Sequence, residues 1–171
     1  MIPDKLINFM CYDRGQTMIG IADVALPNLA YITEEIQGAG IAGSIDSPVV
    51  GHFQSLVTTV NWRSLFEANI PYIAPRTYHF DFRGSVQMYD QNSGALVSRA
   101  VAAVMRVMPK SLNLGTLNTA QQMGTAGEFE ISYLKLSVER KEILEIDKFS
   151  FKCRIAGVDY LAKVRQDLGL A

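Results

Sequence analysis

At 171 residues the chain has the length of one ordinary domain, enough to bury roughly 70% of the surface its unfolded form exposes and to fold without staples. Apolar residues make up 49% and charged ones 19%, below the roughly 25% usual for soluble domains, which leaves surface available for burial against partners. The balance of 16 Lys and Arg against 17 Asp and Glu, a formal net charge of -1, excludes recruitment of nucleic acid or anionic membrane by bulk charge.

From Met1 to Phe9 the chain carries Pro3, Asp4 and Lys5 and lacks the apolar core of a signal peptide. No window approaches the roughly 18 apolar residues of a membrane helix, so no membrane partner is expected. Thr17 to Leu26 and Leu29 to Gln37 read as strands separated by Pro27; in the second, Ala30, Ile32 and Ile36 oppose Tyr31, Thr33, Glu35 and Gln37. Gly38 to Gly43 then matches GxGxxG. His52 to Trp62 continues the β pattern, and Arg63 to Asn69 offers two helical turns after Asn61.

The clearest period-two pattern runs from Thr77 to Tyr89: Tyr78, Phe80, Phe82, Val86 and Met88 alternate with Thr77, His79, Asp81, Arg83, Ser85 and Gln87. Asp90 to Gly94 makes a turn, and Ala95 to Met108 returns as a second long strand. Arms of about 13 residues reach about 40 Å, long for a domain this small. Lys110 to Gly127, rich in Asn, Thr, Gln and Gly, reads as a loop with room for a short helix around Ala120.

A second hairpin changes its buried parity. Phe129, Ile131 and Tyr133 give way to Leu134, Leu136 and Val138; Leu144 and Ile146 give way to Phe149, Phe151, Cys153 and Ile155. Folding at Glu139 to Ile143 sets Val138 against Leu144 and Tyr133 against Phe149, so both switches fall at one level. This points to paired bulges or to a strand pair that turns a corner between sheets, with two-sided burial as the alternative. Asp159 is a candidate N-cap for a helix over Tyr160 to Leu168, stopped by Gly169, whose Leu161, Val164 and Leu168 share one face.

Little of this carries chemistry. The glycine run follows a strand, as a dinucleotide loop does, but Ser44 to Val49 has no helical period and Pro48 breaks the helix that should follow, so no cofactor is expected. A pliant arm with little side-chain bulk remains. His79 and Asp81, two apart on one strand face, fit an acid–base pair or simply a solvated face. Two histidines and the distant Cys11 and Cys153 provide neither a metal set nor a redox motif, and a reducing cytoplasm is the expected folding compartment. The Lys and Arg residues are dispersed and form no basic stripe. Long strands with wet faces leave open edges, however, and the hairpin from Thr77 to Met108 shows little charge or proline to blunt them, so pairing with a neighbour is the natural remedy.

Leu26, Pro27, Leu29, Glu35 and the run Gly38, Ala39, Gly40 and Gly43; then Tyr133, Leu134, Leu136, Lys141, Glu142, Glu145, Ile146 and Asp147; and finally Gly157, Val158, Asp159, Tyr160, Arg165, Leu168, Gly169 and Leu170 form an ordered series nearly end to end. In it the chain resembles the major tail tube protein of contractile-tailed bacteriophages and of headless phage-tail-like bacteriocins. The middle departs from that pattern, with a short helical segment after Trp62 and a loop poor in charge at Lys110 to Gly127.

The resemblance implies one mainly β domain over residues 1–171, a β-sandwich or split barrel with one or two short helices. Six copies would form a ring whose sheets join into a continuous inner barrel, and rings would stack into a tube. The inner sheet would use Leu29 to Gln37, Phe53 to Trp62, Thr77 to Tyr89 and Ala95 to Met108. Residues 38–52 would be an extended inter-ring arm, with Gly38, Gly40, Gly43, Ile45, Asp46, Pro48, Val49 and His52 making its contacts. Thr33, Glu35, His79, Asp81, Arg83, Ser85 and Gln87 are candidates to face the channel, their mixed charges letting DNA or a tape-measure protein pass without sticking. Implied partners are further copies, sheath, a baseplate or tube-initiator protein, the tape measure and passing DNA, in a virion or bacteriocin particle built in the bacterial cytoplasm. Other readings are the tube of a type VI secretion system, a monomeric ligand-binding β-barrel, or a hydrolase using His79 and Asp81.

Overall fold

A computed structural model describes residues 1–15, 17–20 and 23–170. Its strands are β1 (Ile2–Asp13), β2 (Thr17–Ile19), β3 (Asp23–Ala25), β4 (Tyr31–Ile36), β5 (Ile45–Phe53), β6 (Val57–Trp62), β7 (Tyr78–Tyr89), β8 (Leu96–Asn113), β9 (Thr125–Val138), β10 (Lys141–Asp147), β11 (Lys152–Ile155) and β12 (Val158–Asp159), with one short helix, α1 (Ala162–Asp167). Residues 21 and 22 of the strand expected over Thr17 to Leu26 lie outside the described residues. All pairings are antiparallel. Ten strands make one sheet in the order β12, β11, β10, β9, β8, β7, β1 and β2, with β6 and β3 branching from β9, while β4 and β5 pair only with each other.

The β7–β8 hairpin follows its sequence pattern closely. Tyr78 pairs with Val107 and Tyr89 with Leu96 without a register shift, and the turn is closed by Asp90, whose carboxylate accepts from the Asn92 amide at 3.2 Å and the Ser93 hydroxyl at 2.7 Å. Tyr78, Phe80, Phe82 and Met88 are buried. Phe80 stands at the centre of an aromatic group, its ring centroid 5.1 Å from Phe129, 5.7 Å from Tyr72 and 6.0 Å from Phe82. Trp62, Met105, Ile131 and Leu134 complete this core.

The hairpin is not edge-exposed along most of its length. β1, absent from the sequence reading, runs beside β7 from Ile2 to Asp13, and β9 covers β8 from Val101 to Asn113. β1 was hidden because its register slips twice against β7, between Pro3 and Lys5 and between Leu6 and Asn8. Each slip inserts a residue and resets the alternation on which a strand reading depends.

The parity change in β9 is a bulge and a corner together. Arg106 pairs with Tyr133 but Val107 pairs with Ile131, so Ser132 is the extra residue, its hydroxyl donating to the Arg106 carbonyl at 3.2 Å. At that level the free side of β9 changes partner: Thr125 to Glu130 pairs with β6 and Tyr133 to Val138 with β10. The second parity change has another cause. Glu139 and Arg140, both at positive φ, form the two-residue turn that sets Lys141 against Val138, and a bulge at Ile143 then sets Leu136 against Leu144 and Tyr133 against Asp147. The return strand stops at Asp147, whose carboxylate takes the Phe149 and Ser150 amides in a turn, and Cys153 and Ile155 belong to β11. Phe149 is exposed.

Helix positions shift as well. Arg63 to Asn69 forms bends and a turn, and the helical turn is a 3₁₀ segment over Ile70–Ile73 with Pro71 in its first turn. The loop expected over Lys110 to Gly127 shrinks to residues 114–124, because β8 and β9 continue through pairs such as Leu112 with Gly127; Ala120 sits in a turn and not a helix. α1 begins after Leu161, and Asp159 accepts the Leu161 amide at 3.1 Å instead of capping at the first position. Gly169 ends it, with Leu170 N donating to Arg165 O at 2.8 Å. Leu161 is buried and Val164 packs against the core, but Leu168 is exposed.

Candidate assembly surfaces

The glycine run is the tip of a hairpin. Gly38, Gly40 and Gly43 all have positive φ, and a Cβ on any of them would meet nothing within 4 Å. Ile45, Asp46, Pro48, Val49 and His52 are not loop but strand, with Ile36 opposite Ile45, Glu35 opposite Asp46 and Thr33 opposite Pro48. Pro48 is tolerated because β5 has one unpaired side. A strand-to-strand turn also removes the dinucleotide reading, since no helix N-terminus stands at the motif.

β4 therefore lies apart from the large sheet, and not within it as the inner-sheet reading had Leu29 to Gln37. Every residue of β4 is exposed. At the base of the hairpin Phe53 is buried in the core with Tyr31 stacked on it at 4.6 Å, and Gly51 abuts Leu161. Between Pro48 and Phe53 the chain bulges widely against β4, and Gly51 takes φ +68 there.

His79, Asp81, Arg83, Ser85 and Gln87 line the side of β7 opposite Phe80 and Phe82. Thr33 and Glu35 are not with them, being on β4. Asp81 is ion-paired to Arg83, whose guanidinium lies 4.8 Å over the Tyr12 ring, and the Gln87 amide donates to Asp4 at 2.6 Å. Asp81 thus serves Arg83 and is not poised on His79. The cross-strand register extends this polar face to residues the sequence reading did not single out: Lys5, Asn8 and Tyr12 on β1, Arg106 on β8, and Tyr133 and Lys135 on β9. Their signal was available only through pairing register, because no single strand repeats it.

The face ends in an ion cluster. Glu142 lies 3.1 Å from Arg154 and 3.4 Å from Lys135; burial works against its ionisation, but these cations hold it below the usual carboxylate range. Tyr133 is pushed up to about 12 by burial and by donating to Glu145 at 3.0 Å. Burial likewise pushes the Cys11 thiol up to about 12, which leaves it no nucleophile. Among the described residues no His, Cys, Asp and Glu group is placed to hold a metal, and no helix is long and apolar enough to cross a membrane.

The other face of the sheet is incompletely covered. Leu6, Phe9, Leu26, Val101, Val138 and Ile143 border an apolar groove of about 330 Å³ between β3 and the β1–β7–β8–β9 layer. At the end of the sheet near Tyr89 only β1, β7 and β8 remain, and both outer sides of this tongue, Ile2–Met10 and Leu96–Arg99, have no strand partner among the described residues.

Residues 3–169 match the family described as phage tail tube protein FII. The chain belongs to that family. It is 28% identical over 179 residues to the tail tube protein of Escherichia phage P2, covering 99% of each chain. It also shares its fold with the sheath/tube terminator of the PVC extracellular contractile injection system (13% identity, 80% of this chain and 98% of that one, TM-score 0.56). A chain of the sheath-tube complex of that system is similar too, at 14% identity over 80% of this chain and 91% of that one, TM-score 0.52. The chain is thus a phage tail tube protein, a structural protein and not an enzyme, and its place is the tail tube of a phage or phage-like particle.

Proposed function

We propose that residues 1–171 act as one tail tube domain that assembles into hexameric rings, the rings stacking into a tube around a channel. The observation that carries this is the three-stranded tongue of β1, β7 and β8, free on both sides at one level. Such a tongue adds side to side, the Leu96–Arg99 edge of one copy beside the Ile2–Met10 edge of the next, and closure removes both open edges of the tongue. The polar face of β7, with His79, Asp81, Arg83, Ser85 and Gln87, continues from the tongue into the sheet and then lines the channel, where near-balanced charge avoids retaining DNA or a tape-measure protein. Thr33 and Glu35 belong to the arm instead. The arm is the whole β4–β5 hairpin, residues 38–52 being its tip and most of its second strand, and it links copies in neighbouring rings. Sheath and a baseplate or initiator protein would cover the outside and one end, in a DNA-delivering virion or a headless bacteriocin assembled in the bacterial cytoplasm.

Electron microscopy of the purified protein across concentrations tests this. Rings or tubes are expected, and a variant joining Thr33 to Pro48 through Asn-Gly is expected to keep its fold while losing stacked tubes. A monomer at every concentration would overturn the reading.

A further inference from the structure

We propose that the β4–β5 hairpin of one copy seats its isoleucine face in the apolar groove of a second copy, with Glu34 on that face meeting a basic rim there and the net negative charge of the hairpin favouring the contact. This rests on the assembly reading above and names the contact that the arm makes.

The hairpin has two distinct faces. Register places Ile36 and Ile45 together on one, with Glu34 beside Ser47 on the same side, and Glu35 directly opposite Asp46 on the other. Ile32, Ile36 and Ile45 are 44%, 47% and 58% exposed. A two-stranded hairpin is marginal in water without a surface to cover, and its own groove is not that surface, since no hairpin residue lines it.

Charge selects the occupant. Between Leu29 and Phe53 the acids are Glu34, Glu35 and Asp46, and no Lys or Arg occurs. Among the described residues none of the three forms an ion pair, and the Glu35–Asp46 juxtaposition opposes like charges across the strands. The groove shows the converse. Arg99 follows Val101 on the apolar face of β8, and Lys141 is the cross-strand partner of Val138, with Arg140 beside it in the turn. All three cations are exposed and unpaired with any carboxylate among the described residues; Arg99 reaches only the Met1 sulfur, at 3.4 Å. One chain thus carries an acidic apolar projection and an apolar groove with a basic rim. As the two surfaces differ, their contact is heterologous and propagates from copy to copy, which suits a ring or a stack and not a closed dimer.

A charge exchange tests the contact. The full-length variants Arg99→Glu/Lys141→Glu and Glu34→Lys/Glu35→Lys are each purified and checked for native circular dichroism. Each alone is expected to need more than tenfold higher concentration than wild type to assemble, because its hairpin and groove carry like charge. Their equimolar mixture is expected to regain assembly. A mixture of Ile36→Cys and Ile143→Cys chains is further expected to give disulfide-linked dimers under oxidation that neither variant gives alone. Wild-type-like assembly by either charge variant, or no recovery on mixing, overturns this docking while leaving the tube reading intact. Wild-type protein that never assembles overturns the tube reading itself.

Discussion

A Cβ built on Gly51 would fall 2.5 Å from Cγ of Leu161, so the base of the projecting hairpin and the start of α1 meet at a point where only glycine fits. Leu161 is buried, and Gly51 also has φ +68, which side chains rarely adopt. Gly51→Ala is therefore expected to cost about 1–3 kcal/mol through overpacking, with backbone strain added. Gly43→Ala is the contrast: its φ is +121 but nothing lies within 4 Å, so strain alone applies. Chemical denaturation of both variants checks the order. Equal losses would mean that the Gly51–Leu161 approach contributes nothing.

Phe80→Ala is expected to cost about 3–5 kcal/mol, because the ring is 1% exposed and its neighbours Phe129, Tyr72 and Phe82 are fixed on three different segments that cannot all close the gap. Ser85→Ala, on the polar side of the same strand, is expected to stay within about 0.5 kcal/mol. Thermal unfolding distinguishes the two.

Deleting Ser132 is expected to prevent folding. Without the extra residue, one half of β9 must flip, which either exposes Ile131 and Phe129 or turns Leu134 and Leu136 away from the core. Ser132→Ala keeps the bulge and loses only the hydroxyl bond to Arg106 O, so a loss of about 1 kcal/mol is expected. A soluble deletion variant with a native β spectrum would show that the bulge does not set the register.

What the sequence made legible follows from how many strands share a signal. β7 alternates alone, so Tyr78 to Tyr89 could be read from one segment, and the Ser132 bulge left its trace as a parity change within β9. β1 could not be read, because its bulges break the alternation that would have announced it. The second parity change misled for a related reason: a turn at Asp147 to Ser150 and a bulge both shift parity, and only pairing separates them. The glycine run was legible as a segment with little side-chain bulk, but its place at the tip of a hairpin and the contact of Gly51 with Leu161 were not, since Leu161 comes from residues distant in sequence. The groove and its basic rim likewise depend on bringing Val101 and Val138 together, which no local pattern states.

Asp159 and Arg165 tie β12 to α1, with Arg165 Nη2 donating to Asp159 Oδ2 at 2.8 Å and the same guanidinium reaching the Phe151 carbonyl at 2.8 Å. The hydrogen bond from Arg165 holds the Asp159 carboxyl below the usual carboxylate range, helped by the Leu161 amide. The unfolded chain, with an Asp pKa of about 3.9, then binds the proton more tightly than the folded one. The stabilisation is complete above that pH and is lost as pH falls through the folded value. Asp159→Asn removes the carboxylate at every pH. The stability gap between wild type and Asp159→Asn is therefore expected to be constant from about pH 7 to about pH 5 and to narrow below about pH 4. Urea titrations at a series of pH values measure it, and a gap that stays constant into acid would show that the pair is not formed in solution.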